Sequence, residues 1–306
     1  MVYWRKIKMV TFIDLFAGIG GFHSGLTKAG LQCVGWCEQD KYAQESYRAL
    51  YPTDNLWFSP DVRALNGTEM PYADLWCFGF PCQDVSIAGL KDGMGNTRSG
   101  LFYEVTRLLH ETEHKPKWLL IENVKNLLSI DNGWGFYGVL SEMDKAGYSI
   151  AWRVYNTKDF GLPQNRERLF IVGHLGNECP SEVLYRPCES KQSIVQVGNI
   201  IKTTSFGGNP QRGRIYSPHG LSPTLTCVKG GGIEPKILLS KNPNVIRKLT
   251  PREFWRLQGF TDEQFNIVRP IQSDAQLYKQ AGNSVSIPIV YELGKNIVEH
   301  HRRLHE

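Results

Sequence analysis

The chain has 306 residues, of which 41% are hydrophobic and 11% aromatic, enough to bury one large core or two moderate ones. It has no apolar run of 18 residues, and its basic start MVYWRKIKMV lacks the apolar stretch of a secretory leader, so a cytoplasmic protein with no membrane span is expected. The net charge of +5 is concentrated in residues 174–246, where five Lys and three Arg stand against four Glu and no Asp; a basic segment rich in Gly and Pro suits a nucleic-acid backbone.

In chain order, VTFIDLF (10–16) reads as a strand and GFHSGLTKAG (21–30) as a helix stopped at Gly30. CVGWCE (33–38) is a second strand, with a helix over 40–51. ADLWCFG (73–79) and KWLLIEN (117–123) are strands followed by helices over 100–114 and 135–146. YSIAWRVYN and RLFIVGHL are two late strands. This alternation predicts an α/β fold with a mostly parallel, doubly wound, Rossmann-like sheet covered on both faces. From 176 to about 246 the pattern breaks into short runs and turns, as in a smaller second domain. Helical spacing returns in TPREFWRLQG (250–259), with Thr250 as N-cap and Pro251 at the first helical position, and again over 286–300 after the loop AGNS.

In such a sheet, ligands bind beyond the carboxyl ends of the strands. Three loops there are chemically unusual. In DLFAGIGG (14–21), Gly18, Gly20 and Gly21 permit a tight turn into a helix N-terminus, and Glu38 stands where a carboxylate accepts ribose hydroxyls. The third glycine of a dinucleotide loop would fall at His23, which argues for a nucleoside cofactor without pyrophosphate. In LWCFGFPCQDVSIAG (75–89), Cys82 follows a strand end, where backbone N–H groups lower a thiol pKa. A cysteine phosphatase would want Arg at position 88, which is Ala, and no pattern singles out a His partner for a papain-like site. In LLIENV (119–124), Glu122 ends an apolar run and is costly to bury unless paired or functional. The seven Cys form neither a disulfide framework nor a CxxC zinc pair, so no metal is expected and most of them, Cys82 apart, read as small core residues.

The chain resembles the cytosine-C5 DNA methyltransferases, a class I methyltransferase family, over nearly its whole length. DLFAGIGGF (14–22), GFPCQDVSIAG (79–89), ENV (122–124), QNRERLFIVG (164–173), RKLTPREFWRLQGF (247–260) and YKQAGNSVSIPIV (278–290) look like the family's blocks, in the family's order. The end of the variable segment, GRIYSPHGLSPTLTCVKGGG, resembles compact bacterial modification methylases. The resemblance implies a catalytic part at 1–173 plus 278–306 and target recognition at 174–277. It implies that Cys82 adds to C6 of a flipped-out cytosine while protonated Glu122 engages N3, and that C5 then takes the methyl group of S-adenosylmethionine. Arg168 would hold the cytosine O2, with Arg166 assisting.

For the cofactor the resemblance implies Phe16 on the adenine, Glu38 on the ribose and Asp61 on the adenine amino group. Ala17, Gly18, Gly20, Gly21, Val62, Pro81 and Leu101 lie alongside, and Asn283, Ser284 and Val285 close the methionine end. Gln39 is a departure, since relatives often carry a stacking aromatic there, and strand alternation does not guarantee that Trp36 substitutes. On duplex DNA the resemblance implies Gln211 in the hole that the flipped base leaves and Ser86 as a further DNA-binding residue, while Arg212, Arg214 and Lys229 read bases or grip phosphates. A monomer is expected; a separate cognate restriction endonuclease is left open. The rivals are a tRNA-directed enzyme of the same family, a catalytically silent DNA-binding relic and a nicotinamide oxidoreductase. The intact Cys82, Glu122, Arg166 and Arg168 oppose the relic, and the glycine spacing opposes the oxidoreductase.

Overall fold

The computed structural model describes residues 9–81, 100–227, 232–241 and 244–305; Cys82, Ser86 and Lys229 lie outside the described residues. Its first strand, β1 (Thr11–Leu15), is β-branched and aromatic and almost wholly buried. Gly20 then turns in the left-handed region, with φ 75°, and opens α1 (Gly21–Lys28). β2 (Gln32–Cys37) leads to α2 (Lys41–Leu50), whose N-cap Asp40 accepts hydrogen bonds from the backbone N–H groups of Tyr42 and Ala43. A three-residue strand, β3 (Trp57–Ser59), follows, which the sequence pattern did not reveal. β4 (Leu75–Gly79), α3 (Leu101–Glu111), β5 (Trp118–Val124), α4 (Trp134–Lys145) and β6 (Tyr148–Asn156) continue the alternation. The two-residue β7 (Gln164–Asn165) and the long β8 (Glu167–Leu175) complete this part.

Seven strands form one sheet in the order β3-β2-β1-β4-β5-β8-β6. β1 to β5 pair in parallel, and β8 runs antiparallel to both β5 and β6. The expected mostly parallel, doubly wound sheet is therefore present. Its strand order reverses between β1 and β4, which places a ligand crevice at their carboxyl ends. Alternate residues fill opposite faces. Ile13, Leu15, Trp76 and Phe78 pack with α3 and α4 residues such as Phe102 and Val139, while Phe12, Leu75, Cys77 and Leu120 pack with Leu26 of α1.

The second region has its own four-stranded sheet in the order β13-β12-β10-β9. Its strands are β9 (Gln196–Asn199), β10 (Arg214–Tyr216), β12 (Lys236–Lys241) and β13 (Asn244–Lys248), while β11 (Ser222–Pro223) pairs with β7. α5 (Pro251–Gln258) begins as expected, in a capping box in which Thr250 and Glu253 exchange hydrogen bonds. Two helices go beyond the sequence reading, α6 (Asp262–Val268) and α7 (Asp274–Asn283). The AGN run, expected as loop, is the last turn of α7, because Ala281 and Gly282 belong to its buried side. α8 (Ile287–His305) closes the chain and packs Val290 and Leu293 against the α1 face of the sheet.

The cysteines follow the expectation of core burial only in part. Cys33, Cys37 and Cys77 are buried, but Cys179 and Cys188 are exposed and Cys227 is half-buried, because these three lie in segments that cross the surface.

Candidate active site

A cleft of about 470 Å³ opens at the carboxyl ends of β1, β4 and β5, within the range of about 300–1,000 Å³ usual for small-molecule sites. Of the residues expected to bind a cofactor, Phe16, Ala17, Gly18, Gly21, Glu38, Gln39, Pro81, Leu101, Asn283, Ser284 and Val285 line it; Gly20, Asp61 and Val62 do not. Val62 is buried in the core beneath α3. The Asp61 carboxylate is held by the Arg63 guanidinium at 2.7–3.1 Å, an ion pair between neighbours that keeps it acidic. Trp36 does not reach the cleft either: it is buried, stacked on Tyr47 at 4.2 Å, and the exposed Gln39 occupies the rim instead.

The first wall is the glycine loop. Phe16 takes a left-handed backbone, φ 55°, uncommon for a bulky residue and characteristic of functional turns. Glu38 braces the loop from β2: one carboxylate oxygen accepts the Gly18 N–H at 2.8 Å and the other accepts the Asp40 N–H at 2.7 Å. Burial raises its pKa, opposed by those two N–H groups. A carboxylate offers about four acceptor positions, so Glu38 keeps capacity for a hydroxyl beside its backbone partners. Gly21 has no room for a side chain, since a Cβ there would lie 2.6 Å from the Ser284 hydroxyl and 2.8 Å from a Val285 methyl. Gly20 is equally crowded by the ring of Tyr51, whose hydroxyl donates to the Gly20 carbonyl at 2.8 Å.

The second wall carries the carboxyl chemistry. Parallel pairing sets Glu122 of β5 beside Gly79 of β4, and a Cβ on Gly79 would come within 3.2 Å of the Glu122 carboxylate. Antiparallel pairing of β5 with β8 brings Arg168 alongside Val124, and its Nε lies 3.0 Å from Glu122 Oε1. Both side chains are only 12–13% exposed. Asn123, which the sequence reading passed over, donates from its amide to the Phe80 carbonyl at 2.8 Å and so ties β5 to the segment leading into Pro81. Pro81 lines the same cleft as Glu122 and Arg168.

Arg166 is employed differently from its neighbour. It lines the cleft but is wholly buried, and its guanidinium donates to the carbonyls of Leu225, Gly282 and Ser284 at 2.9–3.2 Å. Burial, with Arg168 close by, pulls its pKa down to about 9, still cationic at neutral pH. Arg166 thus pins the second region and the end of α7 against the sheet. Gln164 assists, donating to the Leu257 carbonyl at 2.7 Å and accepting the Leu225 N–H at 3.2 Å. Lys279 also escaped the sequence reading; it lines the cleft and pairs with Asp40, 239 residues away in the chain, so no local pattern announces it.

Of the residues expected at DNA, Gln211, Arg212 and Arg214 share a second groove, of about 650 Å³, in the β9–β10 region. Gln211 and Arg212 are exposed, whereas Arg214 donates to the Asn209 carbonyl at 3.1 Å. Among the described residues no His, Cys, Asp and Glu group is arranged to hold a metal, and no helix is long and apolar enough to cross a membrane.

The chain is 35% identical to the Type II methyltransferase M.HhaI of Haemophilus parahaemolyticus, over 96% of this chain and 95% of the relative. It is 34% identical to the Type II methyltransferase M.NlaX of Neisseria lactamica, over 94% and 96%. Its fold matches a methyltransferase of Entamoeba histolytica with a TM-score of 0.71 at 18% identity, covering 96% of this chain and 99% of that one. It also matches the S. pombe Dnmt2 methyltransferase with a TM-score of 0.72 at 19% identity, covering 97% and 100%. The family model described as C-5 cytosine-specific DNA methylase matches residues 10–205 and 189–299, and with these relatives it shows that the chain belongs to that family, as a DNA cytosine-5-methyltransferase.

Proposed function

We propose that this enzyme methylates C5 of a cytosine flipped out of a short specific duplex sequence, through a covalent bond between Cys82 and C6. The observation that carries the reading is the Glu122–Arg168 pair, 3.0 Å apart, in the cleft lined also by Pro81, the residue directly before Cys82, and by the glycine loop. Cytosine C5 is a poor nucleophile. A thiolate adding to C6 raises electron density at C5 when N3 is hydrogen-bonded or protonated, which is the task assigned to Glu122. Arg168 orients that carboxyl and offers the rest of its guanidinium to the base oxygen O2. Departure of the C5 proton and of the Cys82 sulfur restores the aromatic ring. The base reaches these groups only outside the stack.

The cleft fits S-adenosylmethionine. Glu38 has free lone pairs for ribose hydroxyls, Phe16 offers a ring, and Asn283 to Val285 close the far end. When bound, that cofactor supplies the electrophilic methyl group received by C5. Asp61 pairs with Arg63 and stands outside the cleft lining. Residues 174–277 serve as the target-recognition part, and the exposed Gln211 and Arg212 face the duplex from it.

Duplex DNA is favoured over tRNA because the relatives at 34–35% identity are Type II methyltransferases over nearly their full length. Incubation with labelled S-adenosylmethionine and either duplex DNA or tRNA decides between them: label is expected in the DNA, and label in tRNA alone rejects the reading. A duplex with fluorinated cytosine at the site should trap a denaturation-resistant complex with wild type and none with Cys82→Ala. Bisulfite sequencing of DNA from expressing cells maps the site.

A further inference from the structure

Phe206 has no part in the site described above, and its placement is unusual. It lies between β9 and β10 and is 85% exposed, the most exposed large hydrophobic side chain among the described residues. Its backbone is left-handed, φ 55° and ψ 37°, and Gly207 and Gly208 follow with φ of 61° and 74°. A bulky residue keeps that conformation only where its surroundings hold it, and such positions gather at functional sites.

The surroundings here are braced. The Asn209 side-chain carbonyl accepts amide hydrogens from Gln196 and Asn199, both at 2.8 Å, and Arg214 donates to the Asn209 backbone carbonyl at 3.1 Å. Gly213 makes room for Asn199, whose side-chain oxygen would lie 1.9 Å from any Cβ there. The turn therefore holds an apolar ring out in water from a fixed base. Phe206 lines its groove together with Gln211, Arg212 and Arg214. An aromatic face among guanidinium and amide groups suits a ligand with an anionic backbone and stackable rings, which describes a nucleic acid.

We infer that Phe206 is a wedge that enters the base stack of the duplex beside the target cytosine and helps to expel it; this rests on the reading of the enzyme as acting on duplex DNA. Its ring supplies stacking contact at the step the cytosine leaves, while Gln211 in the same groove supplies hydrogen bonds. Phe206 is thus a positioning residue for the substrate, acting before the carboxyl and thiol groups engage.

The test compares methylation of a paired duplex carrying the mapped site with the same duplex mispaired at the target cytosine. A mispaired base is already partly unstacked and needs less help to leave. Phe206→Ala is expected to lose about 10-fold or more in kcat/KM on the paired duplex and less than about 3-fold on the mispaired one, with Phe206→Trp restoring most of the loss. An equal loss on both duplexes, or no loss, overturns the wedge. Thermal unfolding and cofactor binding unchanged in Phe206→Ala separate the effect from misfolding. If wild type labels tRNA and neither duplex, the DNA reading itself fails and the wedge with it.

Discussion

Glu122 and Arg168 meet at 3.0 Å, each about seven-eighths buried, across the antiparallel pair β5 and β8 of a mostly parallel sheet. The pairing braces the carboxyl in the cleft that both residues line. Glu122→Gln keeps the size and removes the acid. It should reduce methyl transfer about 100- to 10,000-fold with duplex binding retained, read as tritium transfer from labelled cofactor. Cys82→Ala should show no turnover while still shifting duplex in a gel; turnover equal to wild type would discard the covalent mechanism.

The Gly21 position tests how tightly the cofactor loop packs on the closing block. Gly21→Ala sets a methyl group 2.6 Å from the Ser284 hydroxyl and 2.8 Å from Val285, so one of them must move. Cofactor affinity measured by calorimetry should weaken by about 10-fold or more, as expected for 1–3 kcal/mol of overpacking. Glu38→Gln should weaken it by a similar factor, because the amide nitrogen cannot accept the N–H that one carboxylate oxygen now holds.

Arg166 should be a stability residue as well as a site residue. Its removal in Arg166→Met leaves the carbonyls of Leu225, Gly282 and Ser284 without this donor. Urea unfolding should show a loss of about 3–5 kcal/mol, with Arg166→Lys recovering only part because an ammonium has no fork. A variant as stable as wild type would show that the bracket contributes nothing.

His23 gives the fold an acid limit. It is buried, hydrogen-bonded to the Tyr47 hydroxyl at 2.7 Å and stacked on Tyr51, and burial lowers its pKa from 6.5 to about 4. As pH falls through this window the unfolded chain takes up a proton that the folded chain refuses. The His23 contribution to stability should therefore be fully present above pH 6.5 and decline toward pH 4, by up to about 3 kcal/mol. Urea midpoints at pH 7, 6, 5 and 4 should show the decline, and His23→Gln should flatten it.

Much of the architecture is legible from local pattern. Apolar runs of strand length alternate with helical spacing from β1 to β8, and Thr250 followed by Pro251 announces α5 through its own cap. β3 is invisible because three residues after a polar stretch make no periodic signal. Asp61 looks available in sequence, yet Arg63 two positions on folds back and occupies it. Trp36 is near Gln39 in sequence without any guarantee that it replaces the missing aromatic, and in the fold it stacks on Tyr47 instead.

Residue order alone established the chemical parts: a thiol after one strand, a carboxyl at the end of the next, a glycine turn before a helix, and two arginines at the start of a late strand, Arg166 just before it and Arg168 on it. These are short-range features, encoded by side-chain type and by periods of two or 3.6 residues. Tertiary structure decided which parts meet. The Glu122–Arg168 pairing follows from strand register, the Arg166 bracket joins residues 59 to 118 positions apart, and the Lys279–Asp40 pair spans 239. Such contacts depend on how the sheet is ordered and which loops close over it, and no local period carries that information.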